Sequence, residues 1–156
     1  MRQHEYKTTL RWTGNQGTGT SDYRAYARNH EITGPLKATT LQGSSDAHFR
    51  GDSTKYNPED LLVASLSACH MLSYLHLCAI NNIVVTAYHD DATGIMAENP
   101  DGSGQFTEVT LHPRVTITSV SDPAKALQLH EDAGKLCFIA RSVNFPVRHE
   151  PLISNS

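Results

Sequence analysis

Three cysteines and nine histidines are the side chains best able to carry chemistry in this 156-residue chain. A cysteine is a nucleophile only as an accessible, stabilised thiolate; buried, it behaves as a small hydrophobe. Cys69 and Cys78 share one apolar stretch and lie nine positions apart. On a helix, with about 100° and 1.5 Å per residue, they face opposite ways and are roughly 13 Å apart. A disulfide requires Cα atoms within about 7 Å. If a redox pair exists, Cys137 must supply one half, because it alone comes from a separate element. Cys78 is then structural. His70 follows Cys69 directly, and His76 lies seven residues on, near the same face. One cysteine and two histidines on one helix do not match the spacing of a recognisable zinc site. His70 and His76 therefore read as hydrogen-bonded helix histidines. The tripeptide Arg50-Gly51-Asp52 resembles an adhesion motif, but such tripeptides recur by chance.

The segment that must position Cys69 opens with Asn57-Pro58-Glu59-Asp60. Asn57 can cap free backbone N–H groups, Pro58 suits the first helical position, and two acids face the positive end of the dipole. The helix runs through LLVASLSACHMLSYLHLCAI and stops at Asn81-Asn82. It is apolar on every side, so it is expected to be enclosed. Ser65, Ser67, His70, Ser73 and His76 interrupt it, which favours a core helix over a membrane span.

Around this helix the pattern is strand-rich. His4 to Trp12 alternates, with Tyr6, Thr8, Leu10 and Trp12 on one face. Gly14 to Gly19 reads as a hairpin connection rather than a dinucleotide loop, since no helix pattern follows it. Asp22 to Thr33 is expected to return as a strand, aligning Arg24, Tyr26, Arg28 and His30 on one face. Gly34-Pro35 marks a turn before a third strand, Leu36 to Leu41. Ile83 to Gly94 and Phe106 to Val120 read as two long strands around the turn at 99–102, with His112-Pro113 at an edge or bulge. Ser121-Asp122-Pro123 opens a second helix with Gly134 as its stop, and Phe145 to His149 could form a last edge strand. No repeat or linker interrupts the chain, and this order predicts one α+β domain over residues 1–156.

The composition, 38% hydrophobic and 19% charged with net charge −3, is that of a globular chain. Thirteen Lys plus Arg form no basic run, which argues against a nucleic-acid partner. The polar start, Met1 to Leu10, carries no secretory pattern, and three cysteines do not make a disulfide framework. The expectation is a cytoplasmic protein with no membrane partner.

Asn57 to Leu72, NPEDLLVASLSACHML, resembles the signature of the OsmC/Ohr family of osmotically inducible and organic-hydroperoxide-resistance proteins. Trp12-Thr13-Gly14 with Gly17-Thr18-Gly19 is similar to that family's first hairpin, Phe49-Arg50-Gly51-Asp52 to its helix approach, and GKLCFIARSV to its second cysteine region. The resemblance implies an OsmC-like fold, with antiparallel sheets wrapped around a long buried central helix in an intertwined homodimer. It also implies reduction of organic hydroperoxides by a cysteine pair, without flavin, haem or metal. Carried over by position, Cys69 is the peroxidatic cysteine, Cys137 the resolving one, and Glu59 an acid that orients an arginine. A dithiol reductant, a lipoyl group among the candidates, would reopen the Cys69–Cys137 disulfide. The first hairpin has Asn15 and Gln16 where the family carries an arginine, so Arg28, or else Arg50, would supply the cation. Phe138 follows Cys137 where the family commonly has proline. The alternative reading is a dimeric small-molecule-binding protein of the same fold without efficient catalysis. Leu66, Met71 and Leu72 near Cys69 lean toward an alkyl peroxide.

Overall fold

Asn57 starts the long helix, as its residue type requires. In the computed structural model, which describes residues 1–156, helix α1 runs Pro58–Ile80. Asp60 N–H donates to Asn57 Oδ1 at 2.7 Å, and Asn57 N–H donates back to Asp60 Oδ2 at 3.2 Å. This reciprocal box satisfies two otherwise free donors. At the other end Asn82 takes the left-handed conformation, φ 58°, and Ile83 N–H donates to Cys78 O at 2.9 Å. Asparagine tolerates that conformation, and the six-to-one bond closes the helix.

Two compact units make up the chain, Met1–Leu61 and Leu62–Ser156. The first holds an antiparallel sheet of β1 (Thr9–Trp12), β2 (His30–Thr33) and β3 (Leu41–Gly43), in that order. Strands β1 and β2 are shorter than the sequence pattern suggests, and β3 shares only Leu41 with the expected strand Leu36 to Leu41, because Leu36 lies in a turn with φ 62°. Asp22 to Asn29 forms no strand, so the expected face of Arg24, Tyr26, Arg28 and His30 does not exist. Asp22 is the cause: its carboxylate accepts from Arg24 N–H at 2.8 Å and its carbonyl from Ala25 N–H at 3.0 Å, which curls the chain into a turn. In the loop after β1, Asn15 Oδ1 accepts from Gly17 and Gly19 N–H at 2.9 and 3.0 Å. Both glycines have positive φ, 111° and 57°, where a side chain would be strained.

The second unit cuts each expected long strand in two. Residues 83–94 yield β4 (Val85–Asp90) and β5 (Thr93–Glu98); residues 106–120 yield β6 (Gly104–Leu111) and β7 (Pro113–Ile117). The pieces belong to different sheets. One has order β4-β7-β9, with β9 at Leu152–Asn155; the other has order β5-β6-β8, with β8 at Val147–His149. Antiparallel pairing holds within β4–β7 and β5–β6, whereas β8 and β9 add parallel to β6 and β7. Strand β9 has no counterpart in the sequence expectation. Helix α2 spans Pro123–Leu136 and is capped by Asp122, whose side chain accepts from Ala124 and Lys125 N–H. It continues past Gly134, because Gly134 packs against a side chain rather than ending the helix. A Cβ there would lie 2.6 Å from the His149 ring.

Helix α1 serves both sheets. Its first half puts Leu66 with Val109 and Leu111 of β6, and its second half puts Tyr74 and Cys78 with Val115 and Ile117 of β7 and Leu129 of α2. The helix is not enclosed on all sides within the chain. Leu66, His70, Tyr74 and Cys78 are buried, whereas Ala64, Ala68, Leu72, His76 and Ile80 are exposed. The two stripes are offset by two residues, about 200°, and so lie on opposite faces. By length and mean hydropathy, 1.5, this helix would suit a membrane span, yet one face lies in two protein cores.

Asp90 joins these parts. Its Oδ2 accepts from Ser67 Oγ of α1 at 2.5 Å, and its Oδ1 accepts from His112 N–H at 2.6 Å, where the strand changes sheet. Pro113, opposite Asp90, has no N–H to continue the ladder. Replacing Asp90 with Ala removes the acceptor for two part-buried donors and is expected to destabilise the fold by about 2 kcal/mol. Urea unfolding measures this; a change under about 0.5 kcal/mol would show that the kink holds without Asp90.

Candidate active site

Cys69 lies in the middle of α1, between the residues that enter the two cores, and remains partly exposed. Cys137 is the C-cap of α2, its N–H bonded to Ala133 O at 3.0 Å, and is only 1% exposed. The structure makes Cys69 a near neighbour of Cys137, close enough to influence its ionisation, with both thiols free. Burial pushes the Cys137 thiol up to about 11, and the neighbouring Cys69 adds to this. Opposing them are backbone N–H groups of the following 3-10 turn region: Ala140 N–H donates to Cys137 Sγ at 3.4 Å, and Ile139 N–H contributes the same way. Cys137 therefore holds its proton at neutral pH, and the accessible sulfur of the pair is Cys69. Cys78 is 1% exposed, its thiol raised chiefly by burial.

Other residues singled out by the sequence have settings of their own. Helix α1 is unbroken, so Glu59, ten positions before Cys69, lies about 15 Å away along its axis. Arg28 is held within the first unit. Its Nη1 donates to Tyr26 O at 2.6 Å, its Nη2 to Tyr23 O at 2.7 Å, and its guanidinium lies 4.0 and 4.5 Å from the Tyr26 and Tyr23 ring centres. Arg50 is 5.9 Å from the Tyr23 ring. Leu66 is fully buried in the core and cannot meet a substrate. His76 is exposed.

His70 belongs to a feature that sequence reasoning missed. Its Nε2 lies 3.0 Å from His130 Nδ1, and its ring stacks on His149 with centroids 4.5 Å apart. His130 in turn stacks on Tyr74 at 3.8 Å. The signal for His130 was present, since Ala126, Leu129, His130 and Ala133 form the buried stripe of α2 at helical spacing. His149 gave none, because only the β8 pairing delivers it. The outer nitrogens, His70 Nδ1 and His130 Nε2, are buried without a hydrogen-bond partner. The rings stack rather than converge, and no group of three or more His, Cys, Asp or Glu is arranged to hold a metal ion.

Burial holds His70 down at about 3 and His130 at about 4, and the neighbouring imidazoles, which a proton on either ring would repel if they too were charged, add to the effect. His149 is lowered by burial too, although Glu131 and Asp90 oppose this. Protons that the folded state excludes are taken up by unfolded histidines near pH 6.5. Stability is thus fully present above about pH 6.5 and is lost as pH falls toward about 4 and about 3, at about 1.4 kcal/mol per pH unit for each excluded proton. Urea midpoints should fall steeply between pH 7 and pH 5; a flat profile would contradict the neutral cluster.

Comparison with known proteins agrees with this architecture. The family model described as OsmC-like protein matches residues 51–151. No curated protein is significantly similar in sequence. An OsmC-like protein of unknown function from Vibrio cholerae O1 biovar eltor superimposes with a TM-score of 0.87 at 29% identity, over 96% of this chain and 100% of its own. An organic hydroperoxide resistance protein from Elizabethkingia anophelis has a TM-score of 0.67 at 18% identity, over 99% of this chain and 100% of its own. One from Bacillus subtilis has a TM-score of 0.61 at 18% identity, over 97% and 98%. At 18% identity the likeness is one of fold. With its α+β sheets, central helix and matched segment together, the chain belongs to the OsmC-like protein family.

Proposed function

We propose that this protein is a thiol-dependent peroxidase that reduces organic hydroperoxides through Cys69, with Cys137 as resolving thiol. The observation that carries the reading is an accessible thiol on α1 with, as its near neighbour, a buried, protonated one at the end of α2. The family includes organic hydroperoxide resistance proteins. In the proposed cycle the Cys69 thiolate attacks the O–O bond, alcohol leaves, and a sulfenic acid forms. The Cys137 thiol condenses with it, releasing water and closing a disulfide that a dithiol donor reopens. Glu59 and Arg28 enter as the acid–arginine pair that would favour the thiolate, and the setting is the cytoplasm.

A second reading, a binding protein of the same fold, draws on Arg28 and Asn15. The Arg28 guanidinium is occupied by two carbonyls and two tyrosine rings, and Asn15 caps its own loop. One experiment separates the two readings. One equivalent of cumene hydroperoxide should consume two of the three thiols and link Cys69 to Cys137. Cys69→Ser should abolish the thiol loss, while Cys137→Ser should stop at a Cys69 sulfenic acid prone to over-oxidation. Survival of all three thiols in folded protein would favour the binding protein.

The proposal includes a homodimer. The exposed stripe of Ala64, Ala68, Leu72 and Ile80, with Leu72 at 63% and Ile80 at 62% exposure, is apolar surface that a second copy would cover. Sedimentation at micromolar concentration should give a dimer; a stable monomer would rule it out.

A further inference from the structure

We infer that the Cys69–Cys137 disulfide opens in one direction only: an incoming thiolate attacks the Cys69 sulfur, and Cys137 is the leaving group. The inference rests on the peroxidase reading and adds to it the site at which the reductant engages. Thiol–disulfide exchange needs access to the attacked sulfur from behind, along the S–S axis. Cys69 is partly exposed, whereas Cys137 is 1% exposed, between the end of α2 and the turn at Ala140–Ser142. Access therefore selects Cys69.

The leaving side is prepared as well. Negative charge develops on the departing sulfur, and hydrogen-bond donors already aimed there stabilise it. Ala140 N–H is 3.4 Å from Cys137 Sγ, and the neighbouring Ile139 N–H acts on its ionisation in the same sense. Cys69 has no equivalent, because in the middle of α1 the backbone N–H groups are engaged within the helix. Burial works against ionisation of Cys137 and by itself makes it the slower leaving group; the N–H groups counter this only in part, so it is access that decides the direction. The same burial then favours rapid protonation of the departed thiolate, so Cys137 does not return to attack.

The electrons balance as follows. A thiolate of the dithiol donor forms a bond to Cys69 Sγ as the Cys69–Cys137 bond breaks, and the electron pair goes to Cys137, which takes up a proton. The donor's second thiolate then attacks its own sulfur in the mixed disulfide, releasing the Cys69 thiolate. The donor is oxidised to its disulfide by two electrons, and the protein is reduced by two.

The test uses the whole protein, oxidised with one equivalent of cumene hydroperoxide or, in parallel, with diamide. A brief pulse of 2-mercaptoethanol, an acid quench, blocking with N-ethylmaleimide and peptide mapping then locate the adduct. The mercaptoethanol adduct should be on Cys69 and the maleimide on Cys137, with a preference of at least about tenfold. An even distribution, or the adduct on Cys137, overturns the inference. If cumene hydroperoxide leaves the thiols intact, the peroxidase reading fails, while the diamide arm still reads the direction of opening. In reduced variants, Cys137→Ser should react with Ellman's reagent at Cys69 at least about tenfold faster than Cys69→Ser reacts at Cys137. Equal rates also overturn the inference.

Discussion

One long apolar helix has to serve two sheets at once, and the rest of the second unit follows from that constraint. Helix α1 buries a residue at every fourth position from Leu66 to Cys78, and these side chains enter two separate cores. A single continuous pair of strands does not follow the helix along its length. The strands break at Asp91 and His112, and each half joins a different sheet. Asp90 holds the break to the helix, since a carboxylate can accept from Ser67 and from the freed His112 N–H together. Cys69 sits two residues beyond Ser67, near the place where the helix passes from one core to the next.

That placement explains the unequal environments of the two sulfurs. A residue between two cores can stay partly exposed, as Cys69 does. Cys137 is carried into the interior by α2, whose apolar stripe fixes the rotation of the helix and hence of its cap. Burial and the neighbouring Cys69 keep a proton on Cys137, while backbone N–H groups remain in reach of its sulfur. Two chemically identical side chains thus acquire different environments from access and from available donors alone.

The histidine cluster is the least economical part of the core. Stacked neutral rings fill volume as aromatic residues do, but each keeps two nitrogens, and two of these are buried without partners. The arrangement gives the contact of α1, α2 and β8 a strong dependence on proton concentration, which phenylalanines at the same positions would not do.

Much of this was written locally in the sequence. The capping box at Asn57, the Asn81-Asn82 stop, the Asp122 cap and the amphipathic stripe of α2 depend on residues within a few positions of each other. Helical rise and rotation alone excluded a Cys69–Cys78 pair. Where local hydrogen bonds compete with a strand pattern, as at Asp22, alternation misled, because a side chain can supply the partner that a neighbouring strand would. Gly134 looked like a helix stop, and only the ring of His149, fifteen residues away, makes its missing Cβ a packing requirement. The split of the long strands, the parallel pairing of β8 and β9, the meeting of three histidines and the shielding of Cys137 were decided by tertiary structure. Each depends on segments distant in sequence being brought together, and no local pattern encodes which of them will meet.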